Sequence, residues 1–384
     1  MHILVLNYEY PPLGGGGGIA CKKYAEGWVR LGHEVTVVTS HLMDLPFDCI
    51  EDGIRVIRVP VWGRKDMAAA SITSMLSYNP SGFFSFFTKR IKFDIVNTHF
   101  SFPTGPLGAL IAFFRRKPNV LMVYGADIHD PSRFSPNDSK VLTRINSFLL
   151  NQASAVVAES EDIKGWANKF YTFGNDIRII KLPYSLVDFD STGWESLGLA
   201  PDKTYLVSVG RLVKRKGFGN LLEALAMIED KSIESLIVGD GPEREALCAQ
   251  IDKLGLQGRV HLLGHVSNEK KFQYLENSDA FVLSSDHEGF GIVLQEAMQV
   301  GLPIVSTNQG GQTDFLTDDR NALLVPPRDP VALAGAIKRI CCDGELRRRM
   351  GIANRETLKS FDQMTICKEY IEIFEEVLSA DTKL

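Results

Sequence analysis

The sequence is short of several things, and each shortage excludes a class of protein. Its six cysteines, Cys21, Cys49, Cys248, Cys341, Cys342 and Cys367, include no CxxC pair. That spacing supports neither a metal site nor a disulfide framework, so they are expected to be buried thiols. A basic surplus is missing too: the net charge is −5 and the isoelectric point about 6.0, which argues against a nucleic-acid partner. The longest nearly apolar segment, GPLGALIAFF, falls far below the ~20 residues that span a bilayer. The first residues, MHILVLNYEYPP, carry a short apolar run that no basic residue precedes and that ends at prolines. They read as a strand and not as a signal peptide, and the expected location is the cytoplasm.

What is present is the composition of a soluble globular protein, 45% apolar and 23% charged, over 384 residues. That length exceeds what one core usually holds, so two domains are expected. Short apolar runs recur at 2–6, 34–39, 54–59, 94–98, 119–123, 154–158 and 177–181, with helix-length segments between several of them. They are mostly unalternating, as strands buried on both faces are. The pattern restarts at 204–209, 234–238, 259–263, 279–284, 303–306 and 322–325. Strand–helix–strand alternation implies parallel, doubly wound sheets, so the fold class is α/β with two Rossmann-like domains facing a cleft. The boundary falls in the turn-rich segment 181–203, giving domains 1–185 and 186–363 and an amphipathic terminal segment 364–384. Ligands of such sheets bind beyond the carboxyl ends of the strands.

Three strand ends carry informative residues. After the first strand, Gly14 to Gly18 precede a helix, where backbone amides can approach a phosphate. The loop is not a GxGxxG fingerprint and no acidic residue closes the second strand, which disfavours a dinucleotide oxidoreductase. The bland alternative is a flexible surface loop. After 204–209 comes GRLVKRKGF, in which Arg211 and Lys216 suit a diphosphate, while Lys214 and Arg215 are expected to be solvated. After 279–284 comes HEGFGIVLQE, with Glu288 and Glu296 eight positions apart. On one helix that spacing would separate them by ~12 Å, beyond the ~5–9.5 Å of a glycosidase carboxylate pair. Glu288 is expected before the helix and Glu296 one turn into it, as two arms on one polyhydroxylated ligand. For two glutamates alone, a turn cap and an exposed helix residue would be the simpler reading.

Taken together, the segments PPLGGGGG, LGHEVTVVTS, NTHFSFPTGPLGALIA, VYGADIH, VSVGRLVKRKG, IVGDGPERE and HEGFGIVLQEAMQVGLPIVSTNQGG resemble the retaining nucleotide-sugar glycosyltransferases of family 4, with GT-B architecture. The resemblance spans essentially the whole chain. It implies that Arg211 and Lys216 hold the donor diphosphate and that Glu296 binds the ribose. Glu288 would sit near the donor sugar, with the amides of Gly289, Phe290 and Gly291 around it. The backbone of Val266 would meet the base, and Gly17 and Gly18 the phosphates. The terminal helix would return to the first domain. No cofactor is implied beyond the nucleoside-diphosphate sugar as co-substrate, and no metal. Glu288 is expected to act by position and charge and not as a base.

One position departs from the family pattern. VYGADIH has Tyr124 where His-Gly-x-Asp is usual, while Asp127 matches. Tyrosine is a poor base near neutral pH, given its reference pKa near ~10. Tyr124 therefore either tunes the sugar or marks reduced activity. His99, also at a strand end, is a candidate for the sugar or acceptor side. Residues 79–93 combine phenylalanines with Lys89, Arg90 and Lys92 and suit either a membrane surface or a core-facing helix. The expected activity is hexosyl transfer from a nucleotide sugar to a glycan or lipid-linked acceptor. Two competing expectations are a nucleotide-sugar epimerase and a silent nucleotide-sugar-binding scaffold.

Overall fold

The computed structural model describes residues 1–64, 67, 70–130 and 135–381; the expected terminal segment thus has residues 382–384 outside the described ones. The chain divides into two compact units. One comprises Met1–Ser185 together with the chain from Phe361 onward, and the other is Leu186–Ser360.

The first unit is built on eight strands: β1 (His2–Leu6), β2 (Glu34–Ser40), β3 (Asp48–Glu51), β4 (Ile54–Val59), β5 (Ile95–His99), β6 (Asn119–Val123), β7 (Ala155–Ala158) and β8 (Ile177–Ile179). Their order is β3-β4-β2-β1-β5-β6-β7-β8. Every pairing is parallel except β3 with β4, where Cys49 faces Val56. The apolar runs expected as strands are strands because both faces are covered: Ile3, Leu4, Val5 and Leu6 are all fully buried. The edge strand β3 was not expected. Its sequence, DCIE, has one strongly apolar residue, and Ile50 points to solvent. Only its pairing with β4 makes it a strand.

The second unit has six parallel strands: β9 (Thr204–Val209), β10 (Ile233–Val238), β11 (Val260–Gly264), β12 (Ala280–Leu283), β13 (Ile304–Thr307) and β14 (Ala322–Val325). The order is β11-β10-β9-β12-β13-β14. Its core gathers Leu206, Ile237, Val282 and Val305 from the sheet with Leu221, Leu225 and Ile337 from covering helices.

Each sheet reverses its winding once. In the first, the chain runs outward from β1 through β2 and then restarts at β5 on the other side of β1. In the second, it runs from β9 to β11 and restarts at β12 beside β9. At such a switch point the two flanking loops diverge to opposite faces and leave a crevice at the strand ends. Ligands are therefore expected at the strand ends after β1 and β5, and after β9 and β12.

The helix Gln363–Asp381 belongs to the first unit. It packs on the helix Gly16–Arg30: the ring of Trp28 lies 5.3 Å from Tyr370 and 5.2 Å from Phe374. The amide of Gln363 donates to the Lys23 carbonyl at 2.6 Å, and its oxygen accepts from Arg30 at 2.7 Å. The cysteines are only partly the buried thiols expected. Cys21 and Cys367 are buried, but Cys248 and Cys342 are exposed, because they lie on the outward faces of covering helices.

Candidate active site

At the switch point of the second unit, the loop after β9 lies against the loop after β12. Gly217 makes this approach close. Its φ is 63°, and a Cβ there would lie 2.0 Å from the Ser284 carbonyl oxygen. Ser284 Oγ in turn donates to the Lys216 carbonyl at 3.1 Å, and the Asp286 amide donates to the Arg215 carbonyl at 2.7 Å. These backbone ties bring the Lys216 ammonium onto the Glu288 carboxylate. Ser285 Oγ donates to the same carboxylate oxygen at 2.7 Å.

Glu288 is 5% exposed. Burial alone would push its carboxyl up. The charges of Lys216 and Arg215, with the hydrogen bonds from Lys216 and Ser285, outweigh burial and hold it below the usual carboxylate range. Glu288 is thus an ionised, doubly countered carboxylate. It is poorly suited to be a general acid and well suited to place charge.

Arg215 departs from expectation. It is half-buried, its Nη1 lies 3.8 Å from Glu288 Oε2, and it donates to the His287 carbonyl at 3.3 Å. A run of three cations does not by itself say which one turns inward; the short turn Lys214–Lys216 does. Lys214 is exposed, as expected. Arg211 is also exposed, and its guanidinium has no partner among the described residues.

Gly289, Phe290 and Gly291 lead into the helix Ile292–Val300. Phe290 is buried with its ring 5.1 Å from Phe315, which anchors the turn. Gly291, at φ 91°, begins the helix without a side-chain cap. Glu296 lies in that helix as expected, paired with an unexpected cation: Lys271 Nζ donates to its Oε1 at 2.6 Å. Its other oxygen, Oε2, is buried and has no hydrogen-bond partner among the described residues. Val266 is half-buried after β11, directly before Ser267, which caps the helix Asn268–Glu276 through the Lys270 amide at 3.1 Å.

The first unit's switch point holds the other candidates. Gly17 rests on the ring of Phe100, where a Cβ would lie 2.5 Å from Cζ. Gly18 is buried beneath the Glu9 carbonyl. Part of the loop's donor capacity is already committed, since the Gly15 amide donates to Glu9 Oε2 at 3.2 Å. Phe100 follows β5 with φ 73° and lies 4.6 Å from the Tyr124 ring.

Tyr124 and His99 are both buried, and they bond each other. Asn97 Nδ2 donates to the Val120 carbonyl at 3.1 Å and the Tyr370 hydroxyl at 2.9 Å, which leaves Asn97 Oδ1 as acceptor for His99 Nε2 at 2.7 Å. His99 Nδ1 then accepts from the Tyr124 hydroxyl at 2.7 Å. Burial pushes the His99 imidazole down to about 3 and the Tyr124 phenol well above its ordinary value. Asp127 spends both oxygens on backbone: Oδ2 accepts from the Ser101 amide at 2.5 Å and Oδ1 from the Tyr124 amide at 2.8 Å. Burial raises its carboxyl to about 7 against those two bonds. Sequence reasoning passed over Glu159, a buried carboxylate at the end of β7 that accepts from the Gly125 amide at 3.4 Å. Nothing in VVAES separates it from an ordinary helix-leading acid.

Residues 15–181 match the glycosyl transferase 4-like domain, and residues 194–357 match glycosyl transferases group 1. An uncharacterized glycosyltransferase of Methanocaldococcus jannaschii is 27% identical, over 97% of this chain and 98% of that one. A lipopolysaccharide core biosynthesis glycosyltransferase of Rhizobium meliloti is 38% identical over 45% of this chain and 50% of its own. The alpha-monoglucosyldiacylglycerol synthase of Acholeplasma laidlawii is 27% identical over 84% of each chain. Among solved structures, sucrose-phosphate synthase of Thermosynechococcus elongatus superposes with a TM-score of 0.85 at 21% identity, covering 99% of both chains. Anabaena HepE in complex with UDP-glucose gives 0.77 at 21% identity, covering 98% of this chain and all of that one. Two family models that between them span most of the chain, and a shared two-sheet architecture, establish that it belongs to the group 1 glycosyltransferases with GT-B fold.

Proposed function

We propose that the chain moves a sugar from a nucleoside-diphosphate sugar to an acceptor hydroxyl with retention of anomeric configuration. The observation that carries this reading is the loop after β9, where Lys216 is fixed on buried Glu288 while Arg211 has no partner for its guanidinium among the described residues. Cleaving a sugar–diphosphate bond leaves negative charge on the departing phosphate. Arg211 and Lys216 would supply positive charge there, Lys216 from a fixed position on Glu288, and would stabilise it without a metal. The buried Oε2 of Glu296 would accept from a ribose hydroxyl, and Glu288 would orient Lys216. Tyr124, whose hydroxyl is given to His99, would not take the acceptor's proton; the leaving phosphate would, during attack on the same face of the sugar.

Several matching proteins bear names from lipopolysaccharide and glycolipid synthesis, which supports a glycan or lipid-linked acceptor. The helix Ile72–Thr88 has no charged residue, and Phe84 and Phe87 on it are exposed, while Phe86 is buried. Exposed Phe113 and Phe114 lie in the last turn of the neighbouring helix Gly105–Arg115, followed by Arg115, Arg116 and Lys117. This combination would rest on an anionic bilayer. No helix among the described residues is long and apolar enough to cross one. Cosedimentation with anionic but not neutral vesicles, weakened by Phe84→Ser with Phe113→Ser, is the expected result.

The test of the transfer reading is substitution of Arg211. Lys216→Ala would strand a buried carboxylate and confound folding, whereas exposed Arg211 can be changed without that cost. Screening UDP-, GDP- and ADP-sugars by thermal shift identifies the donor, since a ligand at 100 times its Kd stabilises by ~2.7 kcal/mol. Arg211→Ala is expected to abolish transfer at unchanged stability. Wild-type turnover by Arg211→Ala, or isomerised donor formed without acceptor, would overturn the assignment.

A further inference from the structure

Glu296 sits in the second turn of the helix Ile292–Val300, on the side covered by the helix Asn268–Glu276. Its two carboxylate oxygens are not equivalent. Oε1 receives the Lys271 ammonium at 2.6 Å; Oε2 is buried without a hydrogen-bond partner among the described residues. Both side chains are largely covered, Lys271 at 16% exposure and Glu296 at 15%. A pair so enclosed is weakly screened and holds its geometry. A carboxylate able to rotate freely would turn both oxygens toward solvent or ligand. One pinned through a single oxygen keeps the other as its uncommitted acceptor, and a buried acceptor left without a donor carries a desolvation cost that a hydroxyl donor removes.

We infer that Lys271 is a positioning residue for nucleotide binding: it takes one oxygen of Glu296 and aims the other at a ribose hydroxyl. The inference rests on the donor-site reading above. Lys271 stands in the first turn after Val266 and the Ser267 cap. The ion pair therefore also fixes the segment assigned to the base against the carboxylate assigned to the ribose. Base and sugar of one nucleoside would be gripped by two helices locked together through one charge pair. With Lys271 on Oε1, Oε2 is the oxygen whose acceptor capacity is wholly uncommitted among the described residues, so the ribose hydroxyl is expected to be read there. The site should therefore discriminate strongly against a sugar that lacks the hydroxyl it reads.

The experiment measures Kd by calorimetry for UDP, GDP and ADP and for their 2′-deoxy and 3′-deoxy forms, with donor KM and kcat alongside. For wild type, the ribonucleotide is expected to bind more tightly than at least one deoxy form. Lys271→Met is expected to raise the ribonucleotide Kd and donor KM about tenfold, the order of one charge-assisted hydrogen bond. Its kcat at saturating donor should stay within about twofold, because uniform binding is what is lost. The deoxy form should weaken far less, so selectivity collapses, and Lys271→Arg should restore most of it. Unchanged ribonucleotide affinity in Lys271→Met overturns the inference, as does tighter binding. An equal loss for ribo and deoxy forms overturns it too, since that marks a structural defect. Glu296→Gln separates the two levels. If it binds ribonucleotides like wild type, the ribose reading fails; if it weakens binding while Lys271→Met does not, only the positioning role of Lys271 fails.

Discussion

Asp127 and His99 occupy adjacent strand ends, and burial holds each in its neutral form by opposite means. Asp127 keeps its proton up to about 7, against an ordinary value of 3.8. Between those values the folded chain holds a proton that the unfolded chain has released, so stability falls as pH rises through that window. His99 releases its proton down to about 3, against an ordinary 6.5. There the unfolded chain binds the extra proton, and stability falls as pH drops. From about pH 4 to 6.5 the two slopes oppose, each reaching about 1.4 kcal/mol per pH unit. Denaturant melts at pH 4.5, 5.5 and 6.5 are therefore expected to show a steeper rise of stability with pH in Asp127→Asn than in wild type. His99→Gln is expected to tilt the other way. Equal slopes in all three proteins would mean that neither group is held neutral. For Asp127 the matching motif position thus has a definite local task, clamping Ser101 to Tyr124.

Between β9 and the helix Phe218–Ala226, one glycine sets the site. Gly217→Ala places a methyl against the Ser284 carbonyl and a side chain in the left-handed region, which alone costs roughly 1–2 kcal/mol. The loop must move, and with it the Lys216–Glu288 pair. Lower stability together with loss of transfer is expected, whereas Gly193→Ala, which meets nothing within 4 Å, should leave both intact. At this scale the sequence was informative wherever one element satisfied its own pattern. Strands β1, β4, β6, β9 and β14 fall where their apolar runs lie, because burial on both faces leaves no polar alternation to confuse. Pairing and facing were less legible. Edge strand β3 exists through its neighbour, and the phenylalanines of Ile72–Thr88 divide between core and solvent by helical phase. The placement of Glu288 before a helix and of Glu296 within it could be read from their glycines and spacing. Their cations Arg215 and Lys271 could not, since a lysine in NEKKF looks like any solvated helix residue until a second helix packs beside it.

At the scale of the whole chain, the first unit is discontinuous: it is interrupted by Leu186–Ser360 and completed from Phe361 onward. Removing residues from Phe361 onward would uncover Trp28 and Tyr24 and leave the Asn97 amide without the Tyr370 hydroxyl. Burying single large aromatics is worth roughly 3–5 kcal/mol each, against a total stability of about 5–15 kcal/mol. A chain ending at Ser360 is expected to lose the cooperative melt of its first unit while Leu186–Ser360 keeps its own, as two probes, Trp28 and Trp194, would report separately.

The same discontinuity orders events on the ribosome. The first unit is begun at Met1 but lacks its covering helix until about 175 further residues, those of the second unit, have been made. At 5–20 residues per second the aromatic face of Gly16–Arg30 waits on the order of ten to thirty seconds for its partner. In that interval the nascent chain carries an uncapped first unit and a growing second one, a sticky intermediate that ribosome-associated chaperones would be expected to hold. The first unit is thus closed by a segment made only after the second.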